Sequence, residues 1–185
     1  MPSDLPLFYA TRDGQARRIA ERIGVRLAEQ GIAARLSDLA AGLPTAAVLS
    51  AVPLVVLVAA VRYGRHLRPA TRLLALFRTL PAPPPLVLVS VNLTARKPGK
   101  DTAQGNPYLR KLIARYRLAP AVAAAIGGRL DYALYPWWDR EIIRLIMRLT
   151  SGPTDPTTAI DYASPQAIDD LTARIAELWR GVPPK

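Results

Sequence analysis

Thr11, Arg12, Asp13, Gly14, Gln15 and Ala16 make a polar turn between the apolar run "LPLFYA" and the segment "RRIAERI". A chain that ends a strand-like run with a glycine-bearing turn and enters a helix at once builds an anion site. Unpaired N–H groups converge at the helix N-terminus, and the helix dipole favours negative charge there. Thr11, Arg12 and Gln15 add side-chain donors to such a site. A second group, Arg96, Lys97 and Lys100, makes a basic loop, either solvated charge or an attractor for anions or a membrane surface. A third group recurs every four residues: Arg140, Arg144 and Arg148 share one helical stripe, beside the apolar area of Trp137, Trp138, Ile142, Ile143, Leu145, Ile146 and Leu149. That pattern predicts a basic amphipathic helix with aromatic anchors, which docks on an anionic membrane, walls an apolar site or packs on its own domain.

The missing chemistry is as informative. With no cysteine there is no disulfide, thiolate metal site or cysteine nucleophile, and a single histidine, His66, argues against a histidine-based metal site. No metal ligand and no catalytic acid, base or nucleophile is assigned. The chain of 185 residues is half apolar, which excludes a disordered polymer and suits one globular domain over 1–185. Its net charge of +11 is mostly guanidinium, since only four of the 25 cations are lysine. Such a field attracts nucleic acid, anionic lipid or polyanionic small molecules alike, and part of the arginine excess reflects base composition. No nucleic-acid-binding motif or aromatic platform accompanies it, so no nucleic-acid partner is expected. The start "MPSDLPLFYA" lacks the basic and apolar regions of a secretory leader. Residues 39–61 carry no charge over a membrane-spanning length, but Gly42, Pro44 and Pro53 interrupt them. They read as a weak helix or turn at 45–51 and a buried strand at 54–60.

These residues need a scaffold, and the periodicity supplies one. Strands are expected at 5–10, 33–39, 54–60, 86–92 and 121–128, alternating with helices at 14–30, 69–80, 106–116 and 164–180. In the last helix Ser164 is expected as cap and Pro165 at the first position, with Asp169 and Asp170 near the favourable end of the dipole. Alternation of this kind predicts right-handed crossovers and an α/β doubly wound parallel sheet of five strands. Ligands then sit outside the carboxyl ends of the strands, at loops 11–16, 61–66 and 92–105.

The segment "LFYATRDGQARRIAERI" resembles the flavodoxin phosphate loop, with Ala16 standing where flavodoxins carry Thr. Taken with "VRYGRH" at 61–66, "SVNLTARKPGKDT" at 90–102 and "YPWWDREIIRLIMRLTSGPTD" at 135–155, nearly the whole chain resembles the menaquinone-dependent protoporphyrinogen IX dehydrogenases, a flavodoxin-like family. The resemblance implies the flavodoxin-like strand order 2-1-3-4-5, FMN as cofactor and a six-electron oxidation of protoporphyrinogen IX to protoporphyrin IX in haem biosynthesis. It also implies electron delivery to a membrane quinone (menaquinone or ubiquinone) by an enzyme peripheral on the cytoplasmic face of the membrane. On this view residues 11–16 hold the FMN phosphate. Arg62, Tyr63 and Gly64 flank the flavin, Tyr63 either stacking on the ring or packing on the sheet end. Val91, Asn92, Leu93, Thr94 and Ala95 form the second wall, with Asn92 the leading polar contact. Arg96, Lys97 and Lys100, together with Trp137, Trp138, Arg140, Arg144 and Arg148 of an insertion at about 129–161, are expected to meet the substrate propionates or an anionic membrane. A flavodoxin-type electron carrier or another FMN-dependent quinone reductase is the alternative. Carriers of the first kind tend to be acidic, and this chain is basic.

Overall fold

The computed structural model describes residues 4–131, 141, 142, 145, 148, 155 and 159–183. β1 (Leu5–Ala10) is buried along its whole length. Alternation sends Leu5, Leu7 and Tyr9 to one face of the sheet and Phe8 and Ala10 to the other. β2 (Ala34–Asp38), β3 (Val55–Arg62), β5 (Leu86–Asn92) and β6 (Val122–Gly127) complete a parallel sheet in the order β2-β1-β3-β5-β6. In its centre Val58 lies beside Tyr9 on one side and Val89 on the other. Strands covered on both faces read as continuous Val and Leu runs, which is why "LVVLVAA" and "LVLVSVN" were legible.

The order of the parallel strands is the expected one, and the strand count is not. A sixth strand, β4 (Arg65–His66), folds back antiparallel on the end of β3, with Arg62 opposite Arg65. The two-residue connection, Tyr63 and Gly64, has φ of 49° and 72°. Both values are positive, as a tight hairpin turn that matches strand twist requires.

α1 (Gln15–Ala28) and α5 (Pro165–Gly181) cover one face of the sheet, through Ile19, Ile23 and Leu27 on α1 and Ile168, Leu171 and Ile175 on α5. α2 (Ala46–Ala51), α3 (Arg68–Arg78) and α4 (Pro107–Tyr116) cover the other, through Leu49, Leu73, Leu74, Phe77, Leu109 and Leu112. The uncharged stretch 39–61 thus divides into α2, capped by the Thr45 hydroxyl, and β3. No described helix is long and apolar enough to cross a membrane.

α5 starts as expected, with Ser164 accepting from the Ala167 N–H and Pro165 in the first turn. Asp169 and Asp170 do not sit at the dipole, since the first turn holds no acid. Asp169 instead faces α1, where its carboxylate accepts from Arg22 at 2.9 and 3.1 Å and from Arg26 at 3.2 Å. Those guanidiniums, Arg22 foremost, hold the Asp169 carboxyl below its ordinary value. Asp170 accepts from Gln166 one turn earlier.

The expected insertion has a defined base. β7 (Arg129–Asp131) pairs antiparallel with β8 (Ala159–Asp161), so its two ends are zipped into a ribbon beside β6. The ribbon is held tightly, because the Tyr162 N–H donates to Gly128 O and a Cβ on Gly127 would lie 2.1 Å from Tyr162 O. Backbone cannot yield as a side-chain tip does. Gly127→Ala is expected to destabilise by about 2 kcal/mol, lowering the thermal midpoint by roughly 4–8 °C for a chain of this size. Calorimetry that found an unchanged midpoint would mean the ribbon shifts freely.

Candidate functional site

A cleft opens at the carboxyl ends of β1, β3, β5 and β6, where the strand order reverses between β1 and β3. Its first wall is the turn after β1, which contributes Thr11, Arg12, Asp13 and Gln15. Gly14 caps α1 with φ of 82°, and a Cβ there would meet nothing within 4 Å. No side chain caps α1, although the first N–H groups of any helix lack intrahelical partners. Thr11 Oγ1 is buried and finds no hydrogen-bond partner among the described residues, and the same is true of Gln15 Oε1. Unpartnered buried polar atoms are costly, and here they surround an uncapped helix start. The arrangement fits the phosphate and adjoining hydroxyls of a nucleotide such as FMN, which would supply the missing partners.

Ala16 is fully buried against the α1–α5 core and is not a cleft-lining residue. Gln15 has a second attachment, since its Nε2 donates to Asp161 Oδ1 at 2.7 Å. The turn after β1 is thereby tied to the exit of the insertion.

The second wall follows β3 and comprises Ala60, Val61, Arg62, Tyr63 and Gly64. Arg62 crosses the cleft floor to Asp13, with Nη1 donating to Oδ2 at 2.5 Å. The pair offsets the Asp13 charge beside the uncapped start of α1 and clamps β3 to the turn after β1. Tyr63 is half exposed in left-handed backbone, with the Arg62 guanidinium 5.1 Å from its ring centroid. Left-handed geometry in a bulky residue is costly and concentrates at ligand sites.

The third wall comes from Val91, Asn92, Leu93, Thr94, Arg96 and Lys97, after β5. Residues Leu93–Arg96 form a 3-10 turn whose start is capped by Asn92 Oδ1, accepting from the Ala95 N–H at 3.1 Å. The Asn92 side chain, expected as a polar contact for the cofactor, is committed elsewhere. Its Nδ2 donates to Ser90 Oγ at 3.0 Å, and its Oδ1 also accepts from Asn106 Nδ2 at 3.1 Å. Asn106 is fully buried, caps α4 through the N–H groups of Tyr108 and Leu109, and donates to Lys100 O at 2.8 Å. Ser90 Oγ continues the chain to His66 Nε2 at 2.8 Å. Burial lowers the His66 pKa to about 4, so the ring is neutral near pH 7. This network sets the position of the whole 93–106 loop. Ala95 packs towards the sheet and Lys100 is exposed, and neither lines the cleft.

Sequence reasoning missed the remaining lining residues: Leu67, Tyr108, Gly128, Arg129 and Asp131. Arg129 and Asp131, paired at 2.7 Å, belong to the ribbon and had been counted with the insertion. The doubled glycine that ends β6 was the one local signal, because a Cβ on Gly127 would clash with the Tyr162 backbone, while Gly128 sits in contact with the backbone of Asn92 and Leu93. Five cations, Arg12, Arg62, Arg96, Lys97 and Arg129, line the cleft against two acids, Asp13 and Asp131. The balance favours an anionic occupant. Of the expected basic helix, Trp137, Trp138, Arg140 and Arg144 lie outside the described residues. Arg148 is helical and exposed, as are Ile142 and Leu145. Among the described residues no acidic or histidine cluster offers a metal site.

Residues 6–157 match the Flavodoxin domain family. Oxidised flavodoxin 1 from Bacillus cereus superposes with a TM-score of 0.56 over 98% of this chain and all of that one, at 10% identity. A flavodoxin from the domain Archaea gives 0.52 over 96% of this chain and 99% of that one, at 12% identity. At such identity these neighbours speak for the fold alone. Two relatives are closer in sequence. The protoporphyrinogen IX dehydrogenase (quinone) of Escherichia coli K12 is 33% identical over 93% of this chain and 94% of its own length. The protein of the same name from Leishmania major is 32% identical over 97% of this chain and 77% of its own. The chain therefore belongs to the flavodoxin domain family, and within it to the quinone-linked protoporphyrinogen IX dehydrogenases.

Proposed function

We propose that this protein holds FMN in the cleft, oxidises protoporphyrinogen IX to protoporphyrin IX and passes the electrons to a membrane quinone such as menaquinone. The observation that carries this reading is the likeness to the Escherichia coli dehydrogenase over 93% of the chain and 94% of the relative. FMN supplies the redox chemistry, accepting hydride equivalents from a reduced substrate and returning electrons to an acceptor. The protein's residues bind and orient. Thr11 Oγ1 and the N–H groups at the head of α1 would hold the phosphate, and Gln15 Oε1 would accept from a cofactor hydroxyl. The Arg62–Asp13 pair keeps the two strand ends together, while Val91, Leu93, Leu67 and Tyr108 exclude water. Arg12, Arg96 and Lys97, at the mouth, attract the substrate's carboxylates. The enzyme works as a peripheral protein on the inner face of the cell membrane, where macrocycle and quinone are both within reach.

An anaerobic assay tests the reading directly. Turnover of protoporphyrinogen IX is expected with menaquinone analogues and not with a ferredoxin-type partner. The reverse pattern would make the protein an electron carrier. Thr11→Val tests the phosphate site. Losing a hydrogen bond to a charged group is expected to weaken FMN binding about 10- to 100-fold, with riboflavin, which lacks the phosphate, changed less than threefold. Equal losses for FMN and riboflavin in a fluorescence titration would place the phosphate elsewhere.

A further inference from the structure

Carboxylates are missing from one half of this chain. Between Leu39 and Leu130 stand 13 lysines and arginines and a single acid, Asp101, whereas the remainder holds 12 cations and 13 acids. A base-composition preference for arginine adds cations everywhere and does not clear acids from one segment. The fold turns the segregation into a surface. This stretch builds α3 and α4, which lie side by side on the sheet face opposite α1 and α5. Arg68, Arg72 and Arg78 on α3, with Arg110, Lys111 and Arg115 on α4, are exposed, and none is ion-paired among the described residues. Across the sheet three of the four cations of α1 are neutralised locally, Arg17 by Glu21, Arg22 by Asp169, and Arg26 by Glu29 and Asp169.

The cationic face also has a direction. Leu67, the residue that caps α3, and Tyr108, near the start of α4, both line the cleft, so the face runs up to its mouth. At that rim Tyr63 projects half exposed from the β3–β4 hairpin beside exposed Arg65. An exposed aromatic ring next to cations is the pattern that settles at lipid headgroups.

We propose that the α3–α4 face docks the protein on an anionic lipid surface and brings the cleft mouth, with Tyr63 at its edge, to an acceptor dissolved in that lipid. The inference rests on the quinone acceptor of the proposed function, and it assigns docking to a face that sequence reasoning passed over. The cations spread over two adjacent helices as a sheet of charge rather than a groove, which suits a planar surface better than a duplex. Each cation near an anionic leaflet multiplies partitioning about fivefold, and the attraction decays over the Debye length.

The full chain is sedimented with vesicles of equal parts phosphatidylglycerol and phosphatidylcholine, and with phosphatidylcholine alone, at about 0.1 and 0.5 M salt. Binding is expected to the anionic vesicles only, falling at least tenfold at the higher salt. The variant Arg72→Gln/Arg78→Gln/Arg110→Gln/Arg115→Gln is expected to lose about 100-fold or more in partitioning. A control of equal charge change, Arg18→Gln/Arg35→Gln/Arg174→Gln/Arg180→Gln, loses threefold at most. Equal losses in both variants, no binding of the parent chain, or salt-sensitive binding to a short DNA duplex in place of vesicles would overturn the proposal. FMN uptake and turnover with a water-soluble quinone, measured without vesicles, stay at the parent level in the first variant. Those readouts belong to the redox reading, so its failure and a failure of the docking face give different results.

Discussion

Asn92→Ala is expected to destabilise the protein by about 3–4 kcal/mol and to weaken FMN binding about tenfold or more, although the hydrogen bonds of its side chain go to Ser90, Ala95 and Asn106. The loss has several parts. The Ala95 N–H loses the Asn92 oxygen that caps it, and an orphaned group costs about 1–3 kcal/mol, while the fully buried Ser90 Oγ keeps His66 Nε2 but loses a hydrogen bond of about 1 kcal/mol. Asn106 keeps Lys100 O and the two α4 N–H groups but loses the link that ties α4 to β5. The 3-10 turn Leu93–Arg96 then has no cap, and that turn carries the third wall of the cleft. Urea unfolding measures the first effect and fluorescence titration with FMN the second. A double-mutant cycle with Asn106→Ala separates a network from two independent losses. The double variant is expected to fall short of the sum by roughly 1–2 kcal/mol. Strict additivity would show that the two asparagines act separately.

That network marks the limit of what the sequence discloses. β1, the turn after it and α1 were legible because an apolar run, a glycine and a four-residue periodicity follow one another within 25 residues. The doubly wound sheet followed from alternation and the handedness of crossovers, while the order of its strands came from the resemblance, because those rules allow more than one order. Asn92 was legible as a polar residue at a strand end, and there local reasoning stopped. Its main partner lies 14 residues away, across a loop with no regular period. Asp169 failed for the same reason on a larger scale. Local rules assign it to its own helix dipole, while the fold brings it to Arg22, 147 residues distant, where a paired guanidinium offers more than a dipole one turn away. β4 was missed because Tyr at the first position of a two-residue hairpin departs from the usual Asn-Gly signal, and arms of two residues carry no alternation. The cationic face needed both levels. The absence of acids between 39 and 130 is visible in the sequence, but only the placement of α3 and α4 on one side of the sheet makes it a surface.

Between pH 7.5 and pH 5 the protein is expected to lose about 2 kcal/mol of stability through His66 alone. Burial lowers its folded pKa to about 4 from 6.5, so below 6.5 the unfolded chain takes up a proton that the folded chain refuses. The stabilisation is complete above 6.5, drains away as pH falls from 6.5 to 4, and changes no further below that. Asp169, held under its ordinary value by Arg22, yields its share only at lower pH and leaves this window clean. His66→Gln keeps an amide able to bond Ser90 Oγ and removes the titration. Urea unfolding at the two pH values is therefore expected to show a pH-dependent loss about 2 kcal/mol smaller in the variant than in the parent. Equal losses would mean that water reaches the ring and that His66 titrates normally. The cleft should feel the same proton. Because Ser90 Oγ joins His66 to Asn92, an imidazolium that forces its way out breaks the chain of bonds that caps Leu93–Arg96. FMN release on acidification should then follow the unfolding midpoint in the parent and shift with it in His66→Gln.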